Sequence, residues 1–142
     1  MISSTAIDLP EHRNEVRDAC LRQGMLPLMM EHLPASDAGA IAESMRMVDE
    51  ADLYLGIFAF RYGYIPEGYD ISVTEMEYNR AVRRGIPRLI FLMHEKHPLT
   101  AADVERGEDA VKLEALKARL KKERVVAPHS YGGMRGDEHL VA

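Results

Sequence analysis

The chain has one cysteine, Cys20, no tryptophan, and no apolar run near the ~20 residues that span a bilayer. A lone cysteine excludes an intramolecular disulfide and points to a reducing, cytoplasmic setting. The opening residues 1–5 lack a basic stretch followed by an apolar one, so no secretory signal is expected. There is no excess of positive charge: the net charge is −5, which removes any general drive toward nucleic acid or anionic membranes. The phosphate-binding patterns GxxxxGK[ST] and GxGxxG are absent. His32, His94, His97, His129 and His139 lack metal-motif spacing, and a single cysteine excludes a cysteine-based zinc cluster. No cofactor or metal is therefore expected. Neither an internal repeat nor a long low-complexity stretch is visible.

What is present is ordinary globular material. A length of 142 residues fits one domain, and 46% hydrophobic residues suffice for a sizeable core. Apolar runs and helical periodicities alternate along it. Met1 and Ile2 read as the end of a first strand and Met25–Met30 as a second, with Pro27 marking an edge. Asp52–Phe60 is the clearest strand, apolar nearly throughout as in a strand buried on both faces. Arg88–Met93 is another, and Arg124–Ala127 a short last one. Helices are expected over Asp8–Gln23, Ala40–Glu50, Ser72–Arg84 and Glu108–Lys122. The order β-α-β-α-β-α-β-α-β predicts an α/β fold: a flavodoxin-like three-layer sandwich on a five-stranded parallel sheet, order 2-1-3-4-5. Residues 1–127 form the domain; residues 128–142 form a C-terminal loop with a possible short helix. In such sheets ligands sit at the carboxyl ends of the strands. That puts Ser3–Asp8, Glu31–Asp37, Arg61–Ser72 and Met93–Gly107 on one rim.

The helix opening at Ser72 carries two glutamates. Ser72 and Glu75 have capping-box spacing, so Glu75 reads first as a cap partner. Glu77 lies beyond the cap and shares a face with Thr74, three residues earlier. It is either a solvated surface charge or a carboxylate aimed at a ligand, as general base or electrostatic stabiliser. Ser3, Ser4 and Thr5 follow the first strand and offer hydroxyls and backbone N–H groups either to a phosphate or ribose or to ordinary loop chemistry. Asp8, before Leu9 and Pro10, reads as an N-cap; Arg13 faces rim or solvent. Phe60, Arg61 and Tyr62 leave the central strand next to Gly63, suited to stacking on a base, to gripping a phosphate, or simply to plugging the sheet end.

A resemblance joins these segments. Ile2–Thr5 with Asp8, Leu9, His12 and Arg13 resembles the "FISST…DL…ER" opening of a bacterial TIR-like domain of unknown function. Gly24, Pro27, Met30 and Glu31 resemble its "G…P…ME". Val48–Ile57 with Arg61, Tyr62 and Gly63 resembles "V…SD.YVGI…RYG". Ser72–Tyr78, Ala81, Gly85 and Pro87 resemble "S.TE.EY..A...G.P". The matches run in order from residue 2 to about 93 and weakly beyond. The chain departs in its short first strand, in Met1, and in Ala51 where the family has serine. That family is similar to TIR domains and nucleoside 2-deoxyribosyltransferases, which use a glutamate followed by alanine at four residues and glycine at eight. Glu77, Ala81 and Gly85 have this spacing; Thr74 and Pro87 also match the transferase pattern.

The resemblance implies hydrolysis of the N-glycosidic bond of NAD+ or a related nucleotide, with NAD+ as substrate and Glu77 catalytic. It implies substrate contacts at Ser3, Ser4, Thr5, Asp8, Arg13, Phe60, Arg61, Tyr62, Ser72, Thr74 and Tyr78. It also implies self-association, and fusion to or work beside NTPase or repeat modules in prokaryotic immunity. No nucleic acid or membrane partner is implied. The alternatives are a non-catalytic adaptor that signals by assembly and a nucleotide sensor.

Overall fold

The structure is a computed structural model of the 142-residue chain; it describes residues 1–5, 9–30, 37–123 and 126–129. The elements in order are β1 (Ile2–Ser4), α1 (Pro10–Arg22), α2 (Asp37–Glu50), β2 (Tyr54–Phe58), α3 (Val73–Arg84), β3 (Arg88–Met93), α4 (Glu108–Leu120) and β4 (Val126–His129). The strands form one parallel sheet in the order β1-β2-β3-β4. The α/β class with a parallel sheet is as expected.

The five strands and the order 2-1-3-4-5 are not found among the described residues. The difference lies at Met25–Met30, which forms no strand. Ile2 donates its N–H to the Leu28 carbonyl at 2.7 Å, so the segment does run beside β1. Pro27 has no N–H to extend a ladder, and β1 offers only three residues to pair with. The possible helix near the C-terminus lies outside the described residues.

Each face of the sheet has its own core. Ile2, Leu55 and Ile57 pack with Leu9 and Cys20 toward α1. Tyr54, Phe58 and Ile90 pack with Val48, Tyr78, Ala81 and the α4 stripe Leu113, Leu116, Leu120 on the other face. The alternation follows from the two-residue period of a strand. Each large apolar side chain so buried contributes about 1.5–3 kcal/mol.

Helix limits follow local chemistry. Ser72 Oγ accepts from the Glu75 N–H at 3.2 Å and starts α3; Gly85, with φ of 66°, ends it in the left-handed region. At α1 the N-cap position is Leu9 rather than Asp8, because Pro10 fills the first helical position. Asp8 itself lies outside the described residues.

Gly56, central in β2, is required by close approach. A side-chain carbon there would lie 2.5 Å from the Phe58 ring and 2.9 Å from the Tyr54 ring. Both rings lean across the glycine, which is in register with Ser3 on β1. Gly56→Ala is expected to destabilise the protein by about 2–3 kcal/mol, because two packed rings must move. Urea unfolding measures this directly; an unchanged midpoint would show that the rings do not occupy that space.

Candidate functional site

Ser3 and Glu77 meet beneath the helix layer. Ser3 shares the register of Gly56, so its side chain rises on the face covered by α2 and α3, where Gly56 offers no bulk. Its hydroxyl donates to Glu77 Oε2. Glu77 is only 5% exposed and Ser3 1%, which decides against a solvated surface glutamate. The contact lies below the carboxyl rim: Ser3 is two residues, roughly 7 Å, short of Thr5 along the chain.

Burial pushes the Glu77 carboxyl up to about 7, because desolvation penalises the charged form most. The Ser3 and Ser44 hydroxyls, the charge of Arg13 and the terminal ammonium oppose that shift. Near neutral pH the group therefore exchanges between acid and carboxylate, a property suited to general acid–base work. Ser44 on α2 and Tyr54 on β2, both fully buried, complete the surroundings of this carboxyl. Neither hydroxyl forms a hydrogen bond of normal geometry among the described residues. Sequence reading passed over both. The only signal for Ser44 was its place, at four-residue spacing, between Ala40 and Val48 on the buried stripe of α2.

Glu75 is occupied differently. Its carboxylate accepts from Tyr62 Oη through Oε2 and from Arg119 Nη1 at 2.7 Å through Oε1. The Tyr62 oxygen in turn accepts from the Ser72 N–H at 3.3 Å. The second half of the capping box is thus relayed: tyrosine stands between the glutamate and the cap's backbone donor. Burial, then the Glu75 hydrogen bond, raises the Tyr62 phenol to about 12, so it remains a donor. Tyr62 is a buried element of the cap rather than an aromatic on the rim.

The remaining expected residues fall into separate groups. Thr5, Ser72 and Thr74 gather above Glu77 around Gly63. With φ of 96°, Gly63 would set a side-chain carbon 3.1 Å from Thr74 Oγ1 and 3.2 Å from Thr5 Cγ2. Ser4 lies on the opposite face, where Arg13 Nη1 donates to its Oγ at 2.8 Å and to its carbonyl at 3.2 Å. Arg13 also donates to the Met30 carbonyl, so its buried guanidinium ties β1 to the neighbouring segment. Phe60 and Arg61 point elsewhere. Phe60 stacks with His97 and lies beneath Lys117; Arg61 donates to the Ala102 carbonyl at 2.9 Å. A cavity of about 30 Å³, near the size of one water, opens by Leu9, Ala59, Phe60, Met93, His97 and Asp103, away from Glu77. Tyr78 turns to the amino end of the sheet, where it donates to Glu123 Oε1 at 2.5 Å beside Arg88.

The described residues contain no group of three or more histidine, cysteine, aspartate or glutamate side chains able to hold a metal ion. No helix among them is long and apolar enough to cross a membrane.

Fold and site together define an α/β domain with a parallel sheet and a buried acidic side chain below its carboxyl rim. The chain belongs to the family described as a domain of unknown function, DUF4062, which it matches over residues 1–134. No curated protein matches it.

Burial of Glu77 has a pH signature. The folded carboxyl holds its proton to about 7, whereas the unfolded one releases it near 4.5. Between these values the folded state binds more protons, so stability falls as pH rises through this window and levels off above it. The loss is on the order of 3 kcal/mol. Glu77→Gln keeps the shape and removes the titration. Unfolding free energies from pH 4.5 to 8 are expected to fall in the wild type relative to the variant; parallel curves would contradict the buried acid.

The relayed cap predicts a separate effect. Tyr62→Phe strands the Ser72 N–H and one Glu75 oxygen, at a cost of about 1–3 kcal/mol in urea unfolding. No measurable loss would mean that other groups satisfy both atoms.

Proposed function

We propose that this protein is a TIR-like domain that hydrolyses the N-glycosidic bond of NAD+ or a related nucleotide, with Glu77 as the reacting carboxylate. The observation that carries this reading is a buried glutamate whose ionisation lies at neutral pH, seated one helical turn inside α3 and just below the carboxyl rim. The spacing of Thr74, Glu77, Ala81, Gly85 and Pro87 supports it.

In this mechanism the ribose of the substrate enters at the Thr5, Gly63 and Thr74 surface. The bond between C1′ and the nicotinamide nitrogen breaks, and its electron pair leaves with nicotinamide. Positive charge builds on the ribose ring, where ionised Glu77 stabilises it. Water attacks C1′ and loses its proton, giving ADP-ribose, nicotinamide and one proton. Nicotinamide is already a good leaving group, so the scheme calls on no metal. Ser3 holds the carboxylate through its hydroxyl. Arg13, engaged with Ser4 and Met30, orders β1 rather than gripping phosphate. Self-association is part of the proposal, since Glu77 in a single chain is almost wholly covered.

The assay is nicotinamide release from NAD+ by concentrated protein. Turnover is expected to rise with pH through about 7 as Glu77 ionises, and to fall at least 100-fold in Glu77→Gln with the fold intact. Turnover retained in that variant would remove Glu77 from the chemistry. No turnover at any protein concentration, with unchanged partner binding in the variant, would favour the adaptor reading instead.

A further inference from the structure

Two buried hydroxyls beside Glu77, those of Ser44 and Tyr54, lie near it and Ser3 without forming a hydrogen bond of normal geometry among the described residues. A buried polar group left without a well-aligned partner normally costs about 1–3 kcal/mol, so each calls for a physical reason. Their location follows from the backbone. Helices α2 and α3 lead into parallel neighbours β2 and β3, so their C-terminal ends lie at the same edge of the sheet. Arg84 Nη1 fixes the level by donating to the Ala51 carbonyl at 2.8 Å and the Val48 carbonyl at 2.6 Å. About two helical turns back from that contact, Ser44 on α2 stands level with Glu77 on α3. Tyr54 reaches the same place from below. Its ring crosses Gly56, the register partner of Ser3, which is itself bonded to Glu77.

We propose that Ser44 and Tyr54 are positioning residues for Glu77, idle while its carboxyl is protonated and donating to it once it ionises. In the acid form Glu77 can donate its own proton to the Ser3 oxygen across the same contact, and no second donor is required. When the proton leaves to bulk water, the carboxylate has lone pairs with no donor in a dry surrounding, and the two O–H groups turn to supply them. The charged form then stays in its seat instead of swinging out to solvent. The charged groups bearing on this site are Arg13 from α1 and the terminal ammonium beside β1; the Tyr54 phenol also feels Glu77, and burial holds it well above its usual range and so keeps it a donor. The described part of α2 presents a hydroxyl and no charge to this carboxyl.

The proposal builds on the reading of Glu77 as the reacting carboxylate, and its test is independent of turnover. The side-chain carboxyl of Glu77 is followed by carbon-13 NMR in protein labelled at glutamate, with Glu77→Gln identifying the signal. The wild-type signal is expected to titrate near pH 7. Ser44→Ala and Tyr54→Phe each remove one oxygen and are expected to raise the midpoint by roughly one pH unit. Ser44→Thr, which keeps the hydroxyl, is expected to restore the wild-type midpoint. Midpoints unmoved in both variants, with native spectra elsewhere, would overturn the proposal, as would a wild-type Glu77 that does not titrate between pH 5 and 9. Shifted midpoints in a protein without NAD+ turnover would leave the positioning role standing and sink only the glycohydrolase reading.

Discussion

The hydrogen bond between Ser3 and Glu77 joins the shortest strand of the sheet to the helix that covers it. A carboxyl can occupy that position only if it is matched to its surroundings, since an isolated charge in a dry interior is far too costly. The features around it meet this demand. Gly56 leaves room beside Ser3, the Tyr54 ring fills that room with a hydroxyl at its tip, and α2 places Ser44 opposite. Burial then moves the carboxyl to near-neutral ionisation. Packing and chemistry at this point are one constraint seen twice.

The same helix holds two buried glutamates in different settings. Glu75 and Glu77 are two residues apart and both buried, yet α-helical geometry turns them to different sides. Glu75 meets Arg119 and the Tyr62–Ser72 cap, a charged and hydrogen-bonded setting. Glu77 meets neutral hydroxyls, with its nearest full charges on Arg13 and the chain terminus. The first arrangement fixes the start of α3. The second leaves an acid whose proton is exchangeable at neutral pH.

Much of the fold was legible in the sequence because its signals are local. Arg88–Met93 was read with its observed limits, since a strand buried on both faces is apolar throughout. Ser72 and Gly85 marked the ends of α3, since caps depend on adjacent residues. Met25–Met30 misled because its apolar content reflects proximity to β1, whereas a ladder also needs donors in register. Spacing and resemblance single out Glu77 as a catalytic candidate, but its observed partners leave no such mark in the sequence. Ser44, Tyr54 and Tyr62 owe their positions to helix phase, to a ring crossing a glycine and to a loop folding back, none of which leaves a short motif. Arg13, expected at the rim or in solvent, is instead a buried tie between β1 and the segment at Met30.

The central claim is that the ligand surface lies over Glu77, at Thr5, Gly63 and Thr74, rather than by Phe60 and His97. Nitrogen-15 amide spectra recorded during titration with NAD+ at neutral pH, on wild type and on Glu77→Gln to slow any turnover, test it most directly. The account predicts the largest shifts at the amides of Ser3, Thr5, Gly63 and Thr74, with Phe60 and His97 little changed. Shifts centred on Phe60, His97 and Asp103 with those four amides unmoved would contradict it.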